Sequence, residues 1–307
     1  MSYANCCGYT FDSVKHIGKA TPIGVLERNL KSFYDYAFLN IGAWDDIVIG
    51  TTSPGGRDYS ELVEVCIPSC LERTLWQGFR KDWVWETGVE YLDDSGGSHY
   101  PLDVEVQVDS VPLTSGYEID YENGRVKLDS AISATSTIQA QYSYRLIQTY
   151  IGDDVPWWRE LQFRSYDIDD GCFKKDGGDW VVAGEYRIQM PALVISAAST
   201  GVQSAYGLGK CKLRREQLVK FHIISEDKCL RDRLVDIILL QDGKCLWLYD
   251  PDVLECDRIP YPDLAEANYW GNARSDGTRL ALLRTLSSGL YEAVLVANFS
   301  ILFDRQL

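Results

Sequence analysis

Residues 117–144 read YEIDYENGRVKLDSAISATSTIQAQYSY, and this stretch decides the fold. Apolar and polar residues alternate in two short runs, 117–121 and 126–128, on either side of Asn123-Gly124. Asn-Gly supplies the positive φ angles of a two-residue type I′ turn, so the stretch predicts a tight β-hairpin. A third alternating run follows at 138–144. The pattern therefore predicts three consecutive strands, each with one apolar face.

The residues just before this stretch predict a fourth strand. Val104, Val106 and Val108 alternate with polar residues, and the segment 111–116 has the composition of a turn. Antiparallel strands with one apolar face each form compact small sheets. We therefore predict an antiparallel β module at residues 89–150.

The N-terminal third predicts one helix. Thr21 and Pro22 have the residue types of an N-cap and a first helical position, and apolar residues then recur at helical spacing to about Asn40. Gly42 predicts the end of this helix. Residues 1–20 are polar and predict an irregular arm.

The C-terminal third predicts a strand, a helix and a strand. Val219, Phe221 and Ile223 alternate with polar residues. Ser225 is the predicted N-cap of a helix, with Glu226 and Asp227 in its first turn. The predicted buried stripe of this helix is Leu230, Leu234, Ile237 and Ile238, and Gly243 is its predicted stop. Strands are predicted to follow at 246–249 and 290–303.

Between the module and this unit the pattern is weaker. Residues 180–190 and 193–196 predict strands, and the small residues of 199–209 predict a linker. Together these elements predict an α+β fold with mainly antiparallel sheets, two principal helices and an inserted small antiparallel β module. The predicted domains are 1–88 with the arm, helix and first strands, 89–150 with the module, and 151–307 with the main α+β body.

Composition limits the classes of function. Lys and Arg number 30 and Asp and Glu number 45, so the formal net charge is −15, and this excess repels nucleic acid. The dense basic run at 210–220, KCKLRREQLVK, is typical of a solvated strand face with ion pairs, and nucleic-acid contact is the alternative. Trp83 and Trp85, in WQGFRKDWVW, fit either a strand packed on the core or a single-strand stacking surface, and the net charge favours packing.

The nine cysteines predict reduced thiols, because their number is odd and their spacing irregular. Cys66 and Cys70 have the spacing of half a zinc site, but no second ligand pair follows, so buried thiols are the preferred interpretation. The acidic stretch 165–179 lacks the ligand order of a calcium loop. No secretory signal and no membrane-spanning apolar stretch are apparent, which predicts a soluble protein made in a cytosol.

No complete catalytic template is present. The glycine loop at 51–59 lacks the Gly-Lys-Ser/Thr ending of a P-loop, and His222 stands alone on its predicted strand. Paired carboxylates of a glycosidase remain open, because their separation is not visible in a sequence. We therefore predict no enzyme, no cofactor and no metal.

The hairpin resembles β modules that are common in structural proteins of tailed-bacteriophage virions. The residues that carry this resemblance are Ile119, Asp120, Tyr121, Asn123, Gly124, Val126, Leu128, Tyr142, Ser143 and Tyr144. The segment 219–249 is similar to ring-forming proteins of phage necks and tails.

The resemblance implies a homo-oligomeric ring, six- or twelve-fold, that joins or terminates the tail at the head–tail connection. It further implies adjacent neck, tail or connector proteins as partners, DNA passing through a channel without sequence-specific binding, no membrane contact, and a place in the virion after assembly in the host cytoplasm. The predicted interface residues are Tyr117, Tyr121, Asn123, Gly124, Tyr142, Tyr144, Arg214 and Arg215. A glycan-binding or glycan-depolymerising component of the tail tip is the alternative.

Overall fold

The computed structural model describes residues 21–50, 52, 56, 58–65, 73–152, 190–206, 212–250, 259, 269–287 and 289–304. These residues form two compact units. Unit 1 contains 21–34, 149–152, 191–206, 212–250, 259 and 269–304, and unit 2 contains 35–148 and 190, each apart from the undescribed positions. The division falls within the first helix and within one short strand.

The described part of the chain contains two helices and sixteen strands. The helices are α1 (Pro22–Leu39) and α2 (Lys228–Leu239). The strands are β1 (Trp44–Ile47), β2 (Val63–Glu64), β3 (Leu75–Gln77), β4 (Tyr91–Leu92), β5 (Ser98–His99), β6 (Glu105–Val108), β7 (Val111–Pro112), β8 (Tyr117–Asp120), β9 (Arg125–Leu128), β10 (Ile138–Arg145), β11 (Gln148–Ile151), β12 (Ala192–Tyr206), β13 (Lys212–Ser225), β14 (Cys245–Tyr249), β15 (Tyr269–Ser287) and β16 (Leu290–Asp304). The predicted α+β class with mainly antiparallel sheets and two principal helices is confirmed.

Unit 1 is built on a six-stranded sheet with the order β11-β12-β13-β16-β15-β14. β13 and β16 lie at its centre, and they pair antiparallel from Lys212↔Asp304 to Ser225↔Tyr291. Val219, Phe221 and Ile223 are buried as their alternation predicts, because they share one face of β13. That face packs against helices, since the Tyr34 ring of α1 meets the Phe221 ring edge-on at 5.5 Å.

The helix α1 begins and ends where the sequence predicts. Thr21 Oγ1 accepts a hydrogen bond from Gly24 N, so Thr21 caps the first turn before Pro22. The helix ends at Leu39, and Gly42 follows at φ +75°, a conformation that favours glycine.

The start of α2 differs from the prediction. Asp227, not Ser225, is the N-cap, because its carboxylate accepts the N–H of Cys229 at 2.8 Å. Ser225 ends β13 and accepts the N–H of Asp227. Glu226 and Asp227 therefore precede the helix, and its first turn carries no acidic residue.

The buried face of α2 is also shifted from the predicted stripe. Leu234 and Ile238 are buried as predicted, but Leu230 and Ile237 are only half-buried. Arg231 is buried instead, where it pairs with Asp232 and lies over the Tyr291 ring at 5.8 Å. A long Arg side chain fills this position because its charged head retains an ionic partner.

The strand that follows α2 does not return beside β13. β14 pairs with β15 at the end of the sheet, and two strands, β16 and β15, separate it from β13. The strand predicted at 290–303 is confirmed as β16, the second central strand.

The prediction of a linker at 199–209 is wrong for residues 199–206. β12 continues through Tyr206, and its pairing with β13 extends to Tyr206↔Lys212. A register shift lies between Ala197 and Gly201, and there Gln217 donates its amide to the carbonyl of Ala198. A Cβ on Gly201 would lie 2.8 Å from Gln217 Oε1, so the small residue admits this side chain. Apart from Met190, the strand predicted at 180–190 lies outside the described residues.

Unit 2 contains two four-stranded sheets, β1-β10-β6-β7 and β2-β3-β9-β8. Both contribute to one core, which includes Trp76, Val126, Val106 and Tyr142. The predicted hairpin and the strands at 104–108 and 138–144 are present as β8–β9, β6 and β10. β9 and β10 also pair with β3 and β1, which lie before residue 89.

The hairpin loop is not the predicted two-residue type I′ turn. β8 and β9 end at the pair Asp120↔Arg125, so four residues form the loop, and only Gly124 among them has a positive φ, +61°. The loop is shaped by tertiary hydrogen bonds, since Gly78 N donates to Gly124 O at 2.9 Å and Trp83 N donates to Tyr121 O at 2.7 Å. A tight turn would not present these carbonyls to the neighbouring segment.

Candidate assembly surface

The border of the unit 1 sheet that β14 and β15 form is stepped. β14, with five residues, pairs with β15 only over Tyr269–Arg274, and two further hydrogen bonds join Ser275 to Gly243 and Lys244. β15 continues to Ser287. In the described part of the chain, no strand pairs with the outer edge of β15 from Asp276 to Ser287.

The other border, which β11 and β12 form, has a matching step towards the opposite end of the strands. β11 has four residues and β12 has fifteen, and Gly152 N donates to Ile195 O, which places β11 near the first half of β12. Among the described residues, nothing pairs with the outer edge of β12 from Gly201 to Tyr206. Every side chain in that segment is exposed.

The strand register shows that the two steps correspond. Trp247 lies opposite Asn272, Asn272 opposite Leu302, Leu302 opposite Arg214, and Arg214 opposite Ser204. The same tracing puts Cys245 level with Val202. β14 therefore lies at the same height along the strands as Gly201–Tyr206 of β12, the segment that has no outer partner among the described residues.

Exposed apolar side chains mark both borders. Val202 is 71% exposed and Tyr206 47% exposed on β12, and Trp247 is 62% exposed on β14. Leu280, Leu282 and Leu283 are exposed on β15, within the stretch Asp276–Ser287 that has no outer partner among the described strands. Long strand edges with apolar side chains are surfaces to which a further strand adds.

The tyrosines predicted as interface residues are divided between core and surface. Tyr142 and Tyr144 are buried in the core of unit 2, where Tyr142 stacks on Trp83 with ring centroids 4.0 Å apart. Tyr144 donates its hydroxyl to Asp45 at 3.1 Å. Tyr117 and Tyr121 are half-buried and pack against the same core.

The loop residues of the hairpin have local structural partners. Asn123 donates its backbone and side-chain N–H groups to the carboxylate of Asp120, at 3.2 and 2.8 Å. Gly124 is buried, because its backbone lies against Arg80 and Trp83. An interface role for the half-buried members of this group stays a prediction.

The basic residues of β13 are engaged within unit 1. Arg214 donates to Ser300 Oγ at 2.9 Å and forms an ion pair with Glu216 at 3.1 Å. Arg215 donates to Gln217 at 3.2 Å. This arrangement matches the predicted strand face with ion pairs, and both arginines lie on the strand next to the free segment of β12.

A buried carboxylate in the same sheet was missed by sequence reasoning. Glu292 of β16 is fully buried and binds His222 at 3.5 Å and the guanidinium of Arg284. Burial alone would raise the pKa of Glu292, but the hydrogen bonds from His222 and Arg284 outweigh it and hold the pKa below its ordinary 4.5. Strand alternation does place Glu292 on the face of Ile224 and Arg284, but the sequence alone did not reveal that pairing.

Unit 2 contains a second buried charged group. Arg145 of β10 pairs with Glu86 and Asp82 and donates to the carbonyl of Asp35. Burial raises the pKa of Glu86, and the charge of Arg145 opposes this shift. Because its members satisfy one another, the cluster has the character of a structural ion pair.

A small pocket in unit 1 lies between the two helices and the sheet. Its lining is mainly apolar, including Leu30, Tyr34 and Phe221. The hydroxyls of two further lining residues, Ser275 and Thr278, both donate to the carboxylate of Asp242 at 2.9 Å. These polar groups are occupied in closing the turn after α2.

No group of three or more His, Cys, Asp or Glu residues suited to a metal ion occurs within the described ranges. Cys66, Cys70 and the acidic stretch 165–179 lie outside the described residues. Neither described helix combines the length and apolar character that crossing a membrane requires.

No protein-family model and no curated protein matches this sequence.

Proposed function

We propose that this chain is a structural protein of a tailed-phage virion, in the neck or tail. Copies of the chain form a closed ring, six- or twelve-fold, that joins or terminates the tail at the head–tail connection. Adjacent neck, tail or connector proteins are its other partners.

The stepped outline of the unit 1 sheet is the observation that carries this proposal. A closed ring needs a heterologous interface, in which one surface of each copy meets a different surface of the next. The two borders of the sheet are different surfaces. Among the described strands, each border has a segment without an outer partner at the height where the other border has a short outer strand.

The charge of the chain supports a place around DNA. A ring through which DNA passes must not retain it, and a net charge of −15 per copy repels phosphate. The exposed cations that the basic run does contain are partly paired, as Arg214 is with Glu216. We therefore expect no stable complex with duplex DNA at physiological salt.

The test is the mass of the purified chain in solution and the shape of its particles. Mass photometry is expected to give a discrete oligomer, and negative-stain images are expected to show rings. Measurements over a range of protein concentrations separate a closed ring, which stops at one mass, from open filaments, which lengthen. A chain that remains a monomer at every concentration overturns the proposal.

A glycan-binding role at the tail tip is the second candidate, and one observation favours it. Trp247 and Tyr269 are 62% and 52% exposed, with ring centroids 5.1 Å apart. Exposed aromatic side chains with a polar end suit contacts to amphipathic ligands. Glycan-array binding by a monomer, lost in Trp247→Ala, would favour this role over the ring.

A further inference from the structure

We infer that neighbouring copies join by a lap joint between the two stepped borders, in which β14 of one copy lies along Gly201–Tyr206 of β12 in the next. This inference rests on the proposed ring and names the contact that closes it. The partner is a second copy of this chain.

The outlines of the two borders fit each other. In the described part of the chain, β14 pairs with β15 over Tyr269–Arg274 and leaves Asp276–Ser287 without an outer partner, whereas β11 lies near the first half of β12 and leaves Gly201–Tyr206 without one. When two sheets are placed side by side at the same height, β14 of one copy and β11 of the next fill a single column between β15 and β12. Neither short strand then obstructs the other.

The register determines which residues meet. Rotation about an axis along the strands keeps each residue at its own height, so Cys245 comes level with Val202 of the next copy and Trp247 with Ser204. Through the chain of antiparallel pairs from β12 to β14, these two strands run in the same direction. The joint is therefore a parallel pair, with strands about 4.8 Å apart.

The chemistry of the side chains that meet also fits the contact. Val202, Ser204 and Tyr206 alternate along one face of β12, and Cys245 and Trp247 lie on the same face of the sheet, by the register just traced. Val202, Tyr206 and Trp247 are the exposed apolar members of this set. None of the five carries a charge at neutral pH, so uncharged side chains form this contact between the acidic copies.

A disulfide cross-link tests the contact. Cys245 is an exposed free thiol, and Val202→Cys places a second thiol at the same level of the opposite border. Paired strands bring Cα atoms within the roughly 4.4–6.8 Å that a disulfide spans. Under diamide, two thiols lose two electrons and two protons to the oxidant as the bond forms.

The expected result is a ladder of covalent bands on a non-reducing gel that ends at the copy number of the ring. A heterologous joint links each copy to two neighbours, whereas a two-fold contact would stop at dimers. Gln203→Cys is the matched control, because this exposed neighbour lies on the opposite face of β12 and is expected to give no ladder. Both variants carry Cys229→Ser, which removes the other exposed thiol among the described residues. Peptide mapping then distinguishes the 202–245 link from links to the remaining cysteines.

A second variant tests the joint without a covalent cross-link. Val202→Lys adds a charge to this edge of β12, and lysines on strand edges block the addition of a further strand. The fraction of chains in the assembled state is therefore expected to fall at least tenfold. Val111→Lys is its control, because Val111 is 64% exposed on β7 of unit 2. Rings that persist in Val202→Lys, together with rings of Val202→Cys that form no 202–245 link, overturn the joint but leave the proposed ring intact. A wild-type chain that is always monomeric overturns the ring itself.

Discussion

Gly124 shows how a single residue fixes the hairpin of unit 2. It has φ +61°, and a Cβ there would lie 2.3 Å from the carbonyl oxygen of Arg80. Asn-Gly predicts a turn from propensity, but the propensity cannot include the bond from Gly78 N or the contact with Arg80. The position of the hairpin was therefore predictable, and its four-residue loop was not.

Replacing this glycine by alanine is expected to destabilise the protein strongly. Gly124→Ala combines the left-handed backbone with a backbone clash, and each effect costs about 1–3 kcal/mol. Gly116→Ala is the control, since Gly116 also has a positive φ, +86°, but its nearest atom is 3.9 Å away. Urea unfolding is expected to show a larger loss for Gly124→Ala, and equal losses in the two variants would contradict the role of the contact.

Glu292 predicts a pH dependence of stability. Its pKa in the folded chain lies below its ordinary 4.5, so the carboxylate contributes stability that is present above about pH 4.5 and is lost as pH falls below it. The Tm is therefore expected to fall more steeply on acidification in the wild type than in Glu292→Gln. Thermal unfolding between about pH 3 and pH 7 measures this difference. A parallel decline in the two proteins would show that Glu292 does not contribute.

At the scale of elements, the strands and helices with regular patterns were predictable and the bulged strands were not. Val219, Phe221 and Ile223 alternate without interruption, and β13 lies where they predict it. β15 contains three register shifts, between Asp276 and Ser287, and these disrupt its period of two. The small residues of β12 have a linker's composition, and only the pairing with β13 makes them a strand.

The same limit applied to the candidate surface. Tyr142 and Tyr144 were among the predicted interface residues, but alternation does not tell which apolar face has a partner within the chain. Tyr142 alternates as well as any exposed residue does, and it is buried in the core of unit 2. The free borders of unit 1 depend on which strands end early, and strand length is what a sequence predicts least well.

The cap of α2 gives a prediction for a whole element. Asp227→Ala removes the acceptor for the N–H of Cys229 and is expected to cost about 1 kcal/mol of folding stability. Asp236→Ala is the control, because Asp236 is an exposed residue later in the same helix and alanine is the better helix former. Urea unfolding followed by circular dichroism measures both. If Asp236→Ala were the more damaging change, the cap would not be at Asp227.

At the scale of the whole molecule, the proposed assembly would form between strongly acidic copies. Each copy carries a formal charge of −15, so bringing copies together costs electrostatic free energy that dissolved salt reduces. The border residues Val202, Tyr206 and Trp247 are uncharged and exposed, and burying their apolar surface does not depend on ion pairs. Salt therefore weakens the repulsion and leaves the attraction.

We accordingly expect the assembled fraction to rise with salt. From about 0.05 M to about 0.5 M sodium chloride, screening shortens the range of the repulsion by roughly threefold, and the concentration at half assembly is expected to fall severalfold. Mass photometry of dilution series at each salt concentration measures that midpoint. Val111→Lys, which changes the charge of unit 2 without touching the borders, is expected to follow the wild-type trend. An assembled fraction that falls with salt would mean that ion pairs hold the copies together, which contradicts an uncharged joint.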